Sequence, residues 1–313
     1  MPTDDDPLVV GVVGPTATGK SDFGLRLAEE VGGEVIGADA SQLYRGMDIG
    51  TAKLAVPDRR GIPHHQVDVL EVTEEASVAA YQRHARADLE AVQARGRTPV
   101  VVGGSGLYVR ALIDRLDIPP TDPHVRRRLE DRAADVGTAA MHADLARADP
   151  AAAAAIEPTN RRRVVRALEV IELTGRPFSA TMPRREFARP TVVVGLLPSR
   201  DVLDRRIEDR VRRMWAEGLL EEVRGLEARG IRRGRTASTA IGYAQALARL
   251  DGLLDDEEAQ HRTIAATRRL ARRQVSWFRP DRRIRWVDPT DAAALAATVA
   301  ELRVAVRNNG PHG

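Results

Sequence analysis

The stretch Gly14-Pro15-Thr16-Ala17-Thr18-Gly19-Lys20-Ser21 constrains the fold more than any other feature of this chain. It satisfies every defined position of the G-x-x-x-x-G-K-[ST] phosphate loop. Glycines let such a loop curl until its backbone N–H groups point inward at a phosphate, and the helix that follows adds partial positive charge. The loop therefore requires a buried strand before it and a helix after it, and both are legible. Leu8 to Val13 is a continuous apolar run of the kind buried on both faces of a parallel sheet. Ser21 to Val31 has helical spacing, with Phe23, Leu25, Leu27 and Val31 among its apolar positions. Glu34 to Ala38 reads as a second strand and Gln66 to Leu70 as a third. Ser77 to Arg95 reads as a long helix with Ser77 as its N-cap. Pro99 to Val102 is a further strand, followed by the loop Gly103 to Gly106. Strands alternating with helices predict an α/β fold, a doubly wound parallel sheet of the P-loop NTPase-like type.

From about Arg115 the texture changes. Pro119, Pro120 and Pro123 form a hinge-like stretch, and alanine- and arginine-rich helices run to about Leu173. No further strand reads until Thr191 to Leu197, so residues 115–190 are expected to form a helical insertion domain, with 1–114 and 191–313 as the catalytic core. Beyond it come a helix from Arg200 to Ala216, further helices to Trp277, a strand Ile284 to Val287 and a last helix, with Asn308 to Gly313 expected to fray.

Composition excludes several classes of protein. Hydrophobic residues make up 43% and charged residues 30%, as in globular chains. No apolar run approaches the roughly 20 residues of a membrane span. Cysteine is absent, which removes disulfides and thiolate metal sites. Met1 to Asp6 is acidic and does not read as a signal peptide, so a cytoplasmic protein is expected, as a monomer. Net charge is +3, and Lys20 and Lys53 are the only lysines. Arginines cluster at 126–128, 161–163, 205–213 and 268–285. Such clusters suit phosphate backbones and also ordinary solvated faces.

The loop implies a polyphosphate ligand without saying which. Lys20 supplies a mobile charge and Ser21 a hydroxyl for Mg²⁺. Asp39 directly follows the second strand, which sets it at the carboxyl edge of the sheet beside the loop. A carboxylate there can take a proton from an acceptor or hold it, or it can simply cap a helix. A small-molecule kinase and a group transferase fit these residues equally well.

The stretch from Asp39 to Lys53, Asp39-Ala40-Ser41-Gln42-Leu43-Tyr44-Arg45-Gly46-Met47-Asp48-Ile49-Gly50-Thr51-Ala52-Lys53, separates the two. It resembles the long signature segment of bacterial tRNA dimethylallyltransferases, the tRNA isopentenyltransferase (IPP transferase) family. Similar pieces follow in the family's order: Pro63-His64-His65, Gly103 to Tyr108, Arg163 to Val170, Arg206 to Arg210, Ile241-Gly242-Tyr243 and Arg273 to Phe278. The resemblance implies that Gly14, Pro15, Thr16, Ala17, Thr18, Gly19, Lys20 and Ser21 hold the pyrophosphate of dimethylallyl pyrophosphate. It implies that Asp39 accepts the hydrogen of an adenine exocyclic amine, at position 37 beside the tRNA anticodon. Arg210 would join Lys20 and a Mg²⁺ on Ser21 around the departing pyrophosphate. Contacts to the anticodon stem-loop are implied for Asp39, Ala40, Ser41, Gln42, Ser105, Arg126, Arg162, Arg163, Val164, Val165 and Arg166. They are implied also for Ala237, Ser238, Thr239, Ala240, Ile241 and Gly242. The chain departs from the family's pattern at Ala40, commonly serine, and at Ser105, commonly threonine. Without cysteine it lacks the zinc finger of many eukaryotic relatives.

Three rivals remain: a kinase using ATP, a prenyltransferase acting on free adenine nucleotides, and an RNA-binding protein without activity. The signature segment disfavours the first, the basic insertion the second, and the intact loop the third. His64 and His65 have no partner at ligand spacing and read as structural or pocket-lining. Trp215, Trp277 and Trp286 read as core packing.

Overall fold

The computed structural model describes residues 7–181 and 185–309. The readings made above for Met1 to Asp6 and for 310–313 lie outside them, while Asn308 and Asn309 belong to the end of the last helix.

Six strands, β1 (Val9–Val13), β2 (Gly33–Gly37), β3 (His64–His65), β4 (Thr98–Gly103), β5 (Thr191–Leu196) and β6 (Ile284–Val287), form one sheet in the order β3-β2-β4-β1-β5-β6. Every pairing is parallel. The valine-rich strands suit a pleated surface buried on both sides. Val10 and Val12 join Phe23 and Leu27 of α1 (Lys20–Val31) and Val299 and Leu302 of the last helix in one core. Val9 and Val13, pointing the other way, are just as buried.

The third strand is not where periodicity put it. Gln66 and Asp68 both adopt φ 58°, a left-handed conformation that ends a strand, so pairing stops at His64 and His65. Leu70 retains a single parallel bridge, to Tyr44.

The described chain divides into two compact units, with the boundaries at Ile113/Asp114 and Glu186/Phe187. Residues 187–190, expected in the insertion, belong with the sheet. The Arg283 guanidinium lies 4.1 Å above the Phe187 ring, Ala188 N donates to Ile113 O at 2.8 Å, and Val9 N donates to Pro190 O at 2.9 Å. Besides α1, the sheet unit contains α2 (Val78–Ala94) and α3 (Gly106–Ile113). The helical unit consists of α4 (Pro123–Asp135), α5 (Thr138–Ala148), α6 (Pro150–Ala155) and α7 (Arg161–Thr174), around its own core of Leu129, Met141, Leu145, Val164 and Val165. The sheet unit continues with α8 (Arg200–Ala216), α9 (Leu219–Ala228), α10 (Arg235–Ser238), α11 (Tyr243–Leu250), α12 (Asp256–Phe278) and α13 (Ala292–Asn308). A further core joins Tyr44 and Met47 of the 39–53 segment to Leu219, Val223, Ile231 and Tyr243, fastening that segment to α9 and α11.

Candidate active site

The phosphate loop leaves the sheet at Gly14, whose φ is 141° and where a Cβ would stand 2.4 Å from the Leu196 carbonyl oxygen of β5. Only glycine fits so tight a departure. Ala17 (φ 63°) and Gly19 (φ 83°) then turn the backbone into α1. Thr18 Oγ1 and Lys20 Nζ both donate to Pro15 O, at 3.0 and 2.6 Å. The loop is held from outside by Gln274 of α12. Its Oε1 accepts from Thr16 N at 2.9 Å and its Nε2 donates to Gly104 O at 3.0 Å. Gln274 lies within a stretch that resembles the family, but nothing in its residue type announced this role.

Asp39 sits just past the end of β2, as its position in the sequence required. Its Oδ1 accepts from Ser41 N at 3.0 Å, and its carbonyl accepts from Gln42 N at 3.2 Å. Ala40 N donates to Ser105 Oγ at 3.3 Å, while Ser105 N donates to Ala38 O at 3.3 Å. The two positions that depart from the family pattern therefore touch each other. The hydroxyl kept at 105 serves a backbone N–H, and a hydroxyl at 40 is not needed for that bond.

Arg210 reaches in from α8, its Nη2 donating to Thr51 O at 3.1 Å. Burial lowers the Lys20 ammonium from its ordinary 10.5 to about 8; the charge of Arg210 pushes the same way and Asp39 opposes both. Burial likewise lowers Arg210, again with Asp39 opposing. Lys20, Arg210 and Asp39 thus feel one another in a partly dry setting. Two cations against one carboxylate leave an unbalanced positive charge, which an anion would relieve. Ala17, Thr18, Gly19 and Arg210 line a cleft of about 980 Å³, shared with Arg26, Arg206 and Arg213 and with the carboxylates of Asp22, Asp48, Asp58, Asp209 and Glu217. That size is ample for a small ligand. Ser21 faces a second pocket of about 30 Å³ with Gln42, Lys53 and His64.

Two anchors, a buried lysine and a partly exposed glutamate, shape the segment that follows Asp39. Lys53 Nζ donates to Tyr44 O, Asp48 Oδ1 and Asp68 Oδ1 at 2.8, 2.7 and 2.6 Å, with its side chain only 4% exposed. Glu222 of α9, which no sequence signal marked, accepts the N–H groups of Asp48, Ile49 and Gly50 at 3.1, 2.7 and 3.4 Å. It also accepts the Tyr243 hydroxyl at 2.6 Å. Burial and the Glu222 charge push the Tyr243 phenol far above its ordinary value, so it stays a donor.

His64 Nδ1 bonds Ile62 O at 2.9 Å, and His65 Nε2 bonds the buried Glu34 at 2.7 Å. No group of three potential metal ligands exists among the described residues. Trp215 packs against the core that carries Tyr243, and Trp286 lies over Gly195. Trp277 departs from the core-packing expectation: it is 44% exposed, near the end of α12, with its ring against Gly106.

Of the 237–242 segment, Ala237 is buried in the core and Gly242 N donates to Gln245 Oε1 at 2.8 Å, while Ser238, Thr239, Ala240 and Ile241 reach the surface. In the helical unit, Val164 and Val165 are core residues. Arg126 and Arg166 converge on Glu169, which is fully buried. Arg126 Nε donates to it at 3.1 Å and Arg166 Nη1 at 2.6 Å, and Asp122 N adds a third bond at 3.1 Å. Arg166 Nη2 also caps Pro119 O at 2.7 Å. Both guanidinium groups therefore have a structural occupation. Arg162 and Arg163 are exposed and form no ion pair among the described residues.

Residues 42–281 match the model of the IPP transferase family. The chain belongs to the IPP transferase family. It is accordingly a prenyl-transferring enzyme. Its similarity to the tRNA dimethylallyltransferases of Kineococcus radiotolerans and Nocardia farcinica is 58% identity in each case, over 94% of this chain and 96% and 94% of theirs. Among solved structures, the tRNA isopentenylpyrophosphate transferase of Bacillus halodurans is 40% identical with a TM-score of 0.70, covering 97% of this chain and 96% of that one. A eukaryotic dimethylallyltransferase acting on tRNA is 27% identical with a TM-score of 0.82, covering 97% of this chain and 79% of that one. The IPP transferase fold is thus shared along nearly the whole chain.

Proposed function

We propose that this IPP transferase moves the dimethylallyl group of dimethylallyl pyrophosphate onto the exocyclic amine of adenosine 37, beside the anticodon of tRNA, releasing pyrophosphate. The observation that carries the reading is the hydrogen-bonded link from the phosphate loop through Gln274, Gly104 and Ser105 to Ala40, which sets Asp39 by the loop whose cleft Arg210 lines. An adenine amine is a weak nucleophile because its lone pair is delocalised into the ring. The allylic carbon is a good electrophile only as pyrophosphate leaves. The site must align the amine with the breaking carbon–oxygen bond and stabilise the charge on the leaving group. Alignment can contribute roughly 7–11 kcal/mol, and each fixed donor about 3–4 kcal/mol.

Asp39 is the group that receives the amine proton as the new carbon–nitrogen bond forms. Its carboxylate is oriented by the Ser41 N–H, and its strand end is stitched to Ser105. Lys20, Arg210 and the loop N–H groups face the pyrophosphate. Mg²⁺ would be carried on the pyrophosphate, with the Ser21 hydroxyl of the phosphate loop as its protein ligand. When bound it would neutralise charge on the leaving group. The flipped adenine must leave its stack, at a cost of a few kcal/mol, and the exposed Arg162 and Arg163 are suited to holding loop phosphates that offset it.

Incubating the protein with dimethylallyl pyrophosphate, Mg²⁺ and unmodified tRNA, then locating the adenine that gains mass, tests the reading. A single modified adenine beside the anticodon is expected. ADP release from ATP with a small-molecule acceptor, and no tRNA product, would establish a kinase instead.

A further inference from the structure

Arg210 enters the cleft from α8, yet among the described residues it makes a single hydrogen bond, from Nη2 to Thr51 O at 3.1 Å. The same carbonyl accepts Gln42 Nε2 at 3.2 Å, and Gln42 N in turn donates to Asp39 O at 3.2 Å. One backbone oxygen is therefore shared by the cation that faces the leaving group and the turn that carries the carboxylate. A guanidinium on a long side chain points where its acceptors hold it, so whatever fixes Thr51 also aims Arg210.

Thr51 belongs to a turn that is bonded within itself. Thr51 Oγ1 donates to Met47 O at 2.6 Å, and Ala52 N and Lys53 N donate to Ile49 O and Asp48 O, each at 3.0 Å. Such a turn moves as one piece, and Glu222 is what grips it. The Glu222 carboxylate accepts the N–H groups of Asp48, Ile49 and Gly50, the three residues just before Thr51. A carboxylate seated on consecutive amides fixes both the place and the tilt of the backbone that offers them. The Tyr243 hydroxyl donates to the same carboxylate at 2.6 Å, and its ring lies so close to Gly50 that a Cβ there would stand 2.5 Å from Cε2. Neither Glu222 nor Tyr243 lines the cleft. Attachment of the segment does not depend on them alone, because Lys53 and the core around Tyr44 and Met47 hold it as well. We propose that Glu222 is a positioning residue for the transfer: through the turn from Asp48 to Thr51 it sets the carbonyl that aims Arg210 at the departing pyrophosphate. This rests on the prenyl transfer to tRNA argued above.

The test is steady-state transfer to unmodified tRNA by wild type, Glu222→Gln, Arg210→Ala and the double variant. Glu222→Gln keeps the size of the side chain but replaces one acceptor oxygen by an amide donor. Its kcat/KM for dimethylallyl pyrophosphate should fall roughly 10- to 100-fold, as for a reacting group displaced by about 1 Å. The melting temperature should stay within a few degrees of wild type, since the other anchors remain. In the Arg210→Ala background the same substitution should lose most of its effect, because the group it acts through is gone. Tyr243→Phe removes one donor from the carboxylate and keeps the ring on Gly50. It should repeat the pattern at smaller size, and it carries the comparison if Glu222→Gln does not fold. Equal fold-losses in both backgrounds, the mark of a merely structural residue, would overturn the proposal, as would an unchanged kcat/KM in Glu222→Gln. Wild-type transfer to tRNA tests the parent reading separately. Its absence overturns both, whereas its presence with equal losses overturns only the role of Glu222.

Discussion

The sheet unit and the helical unit both bury charged side chains, and they do so to opposite ends. In the helical unit Glu169 is fully enclosed, yet three donors satisfy it: Arg126, Arg166 and the N–H of Asp122. Burial alone would raise its carboxyl, but the hydrogen bonds from the two arginines and the backbone hold it below the ordinary value. In the sheet unit Lys20 and Arg210 are desolvated beside each other and only Asp39 opposes them, so both are lowered. A closed set of charges holds a fold together. An open set waits for a ligand, and the imbalance marks the site more surely than the number of arginines does.

The largest effect should come from removing the one anion of the open set. Asp39→Ala should lower the rate constant of transfer by roughly 10²–10⁴, the range for a lost general base, with tRNA affinity little changed. Single-turnover kinetics and a binding titration separate the two. Near-normal turnover at saturation would remove Asp39 from the mechanism.

Lys20→Met should cost about 10²–10³ in donor use, as for a missing donor to a developing anion, and should raise the melting temperature by a few degrees. The gain arises because folded Lys20 loses its proton near pH 8, whereas an unfolded lysine does so near 10.5. The cost of burying its charge is present in full below pH 8 and is relieved as pH rises towards 10.5. For the same reason kcat/KM for dimethylallyl pyrophosphate should fall as pH rises through about 8 in wild type. A flat profile from pH 7 to 9 would mean that the lysine charge is not what meets the donor.

The closed set gives the contrary result. Glu169→Ala takes the shared carboxylate from two partly exposed guanidinium groups, Arg126 and Arg166, of which Arg166 keeps its bonds to Pro119 O and Pro120 O, and should destabilise the helical unit by about 1–3 kcal/mol. Hydrogen exchange along α4 and α7 would show it, while exchange in β1 and α1 stays as in wild type. Equal protection in both proteins would deny Glu169 its role.

The smallest effect concerns the arginines that neither set uses. Arg162→Ala and Arg163→Ala should each flatten the slope of log tRNA affinity against log salt by roughly 0.7–0.9, with donor binding unchanged. Arg126→Ala and Arg166→Ala should instead weaken binding by loosening the helical unit, which thermal melting detects. If Arg162 and Arg163 variants keep the wild-type slope, that surface is a solvated face.

Much of this protein was written locally. The phosphate loop dictates a buried strand before it and a helix after it, so β1, α1 and the parallel sheet follow from short-range pattern. Asp39 follows from lying two residues beyond the end of a strand. The third strand failed locally because left-handed turns at Gln66 and Asp68 leave no mark in hydrophobic periodicity. The family resemblance brought Arg126, Arg162, Arg163 and Arg166 forward alike as tRNA contacts, and a guanidinium reads the same in sequence whether paired or free. Only the packing of α4 against α7 assigned two of them to Glu169 and left two in solvent. Glu222 and Gln274 were silent for the same reason, as their partners lie 172 and 258 residues away along the chain. Local spacing determines which elements form; which charges are enclosed, and with whom, is decided only when distant segments pack and remove water from between them.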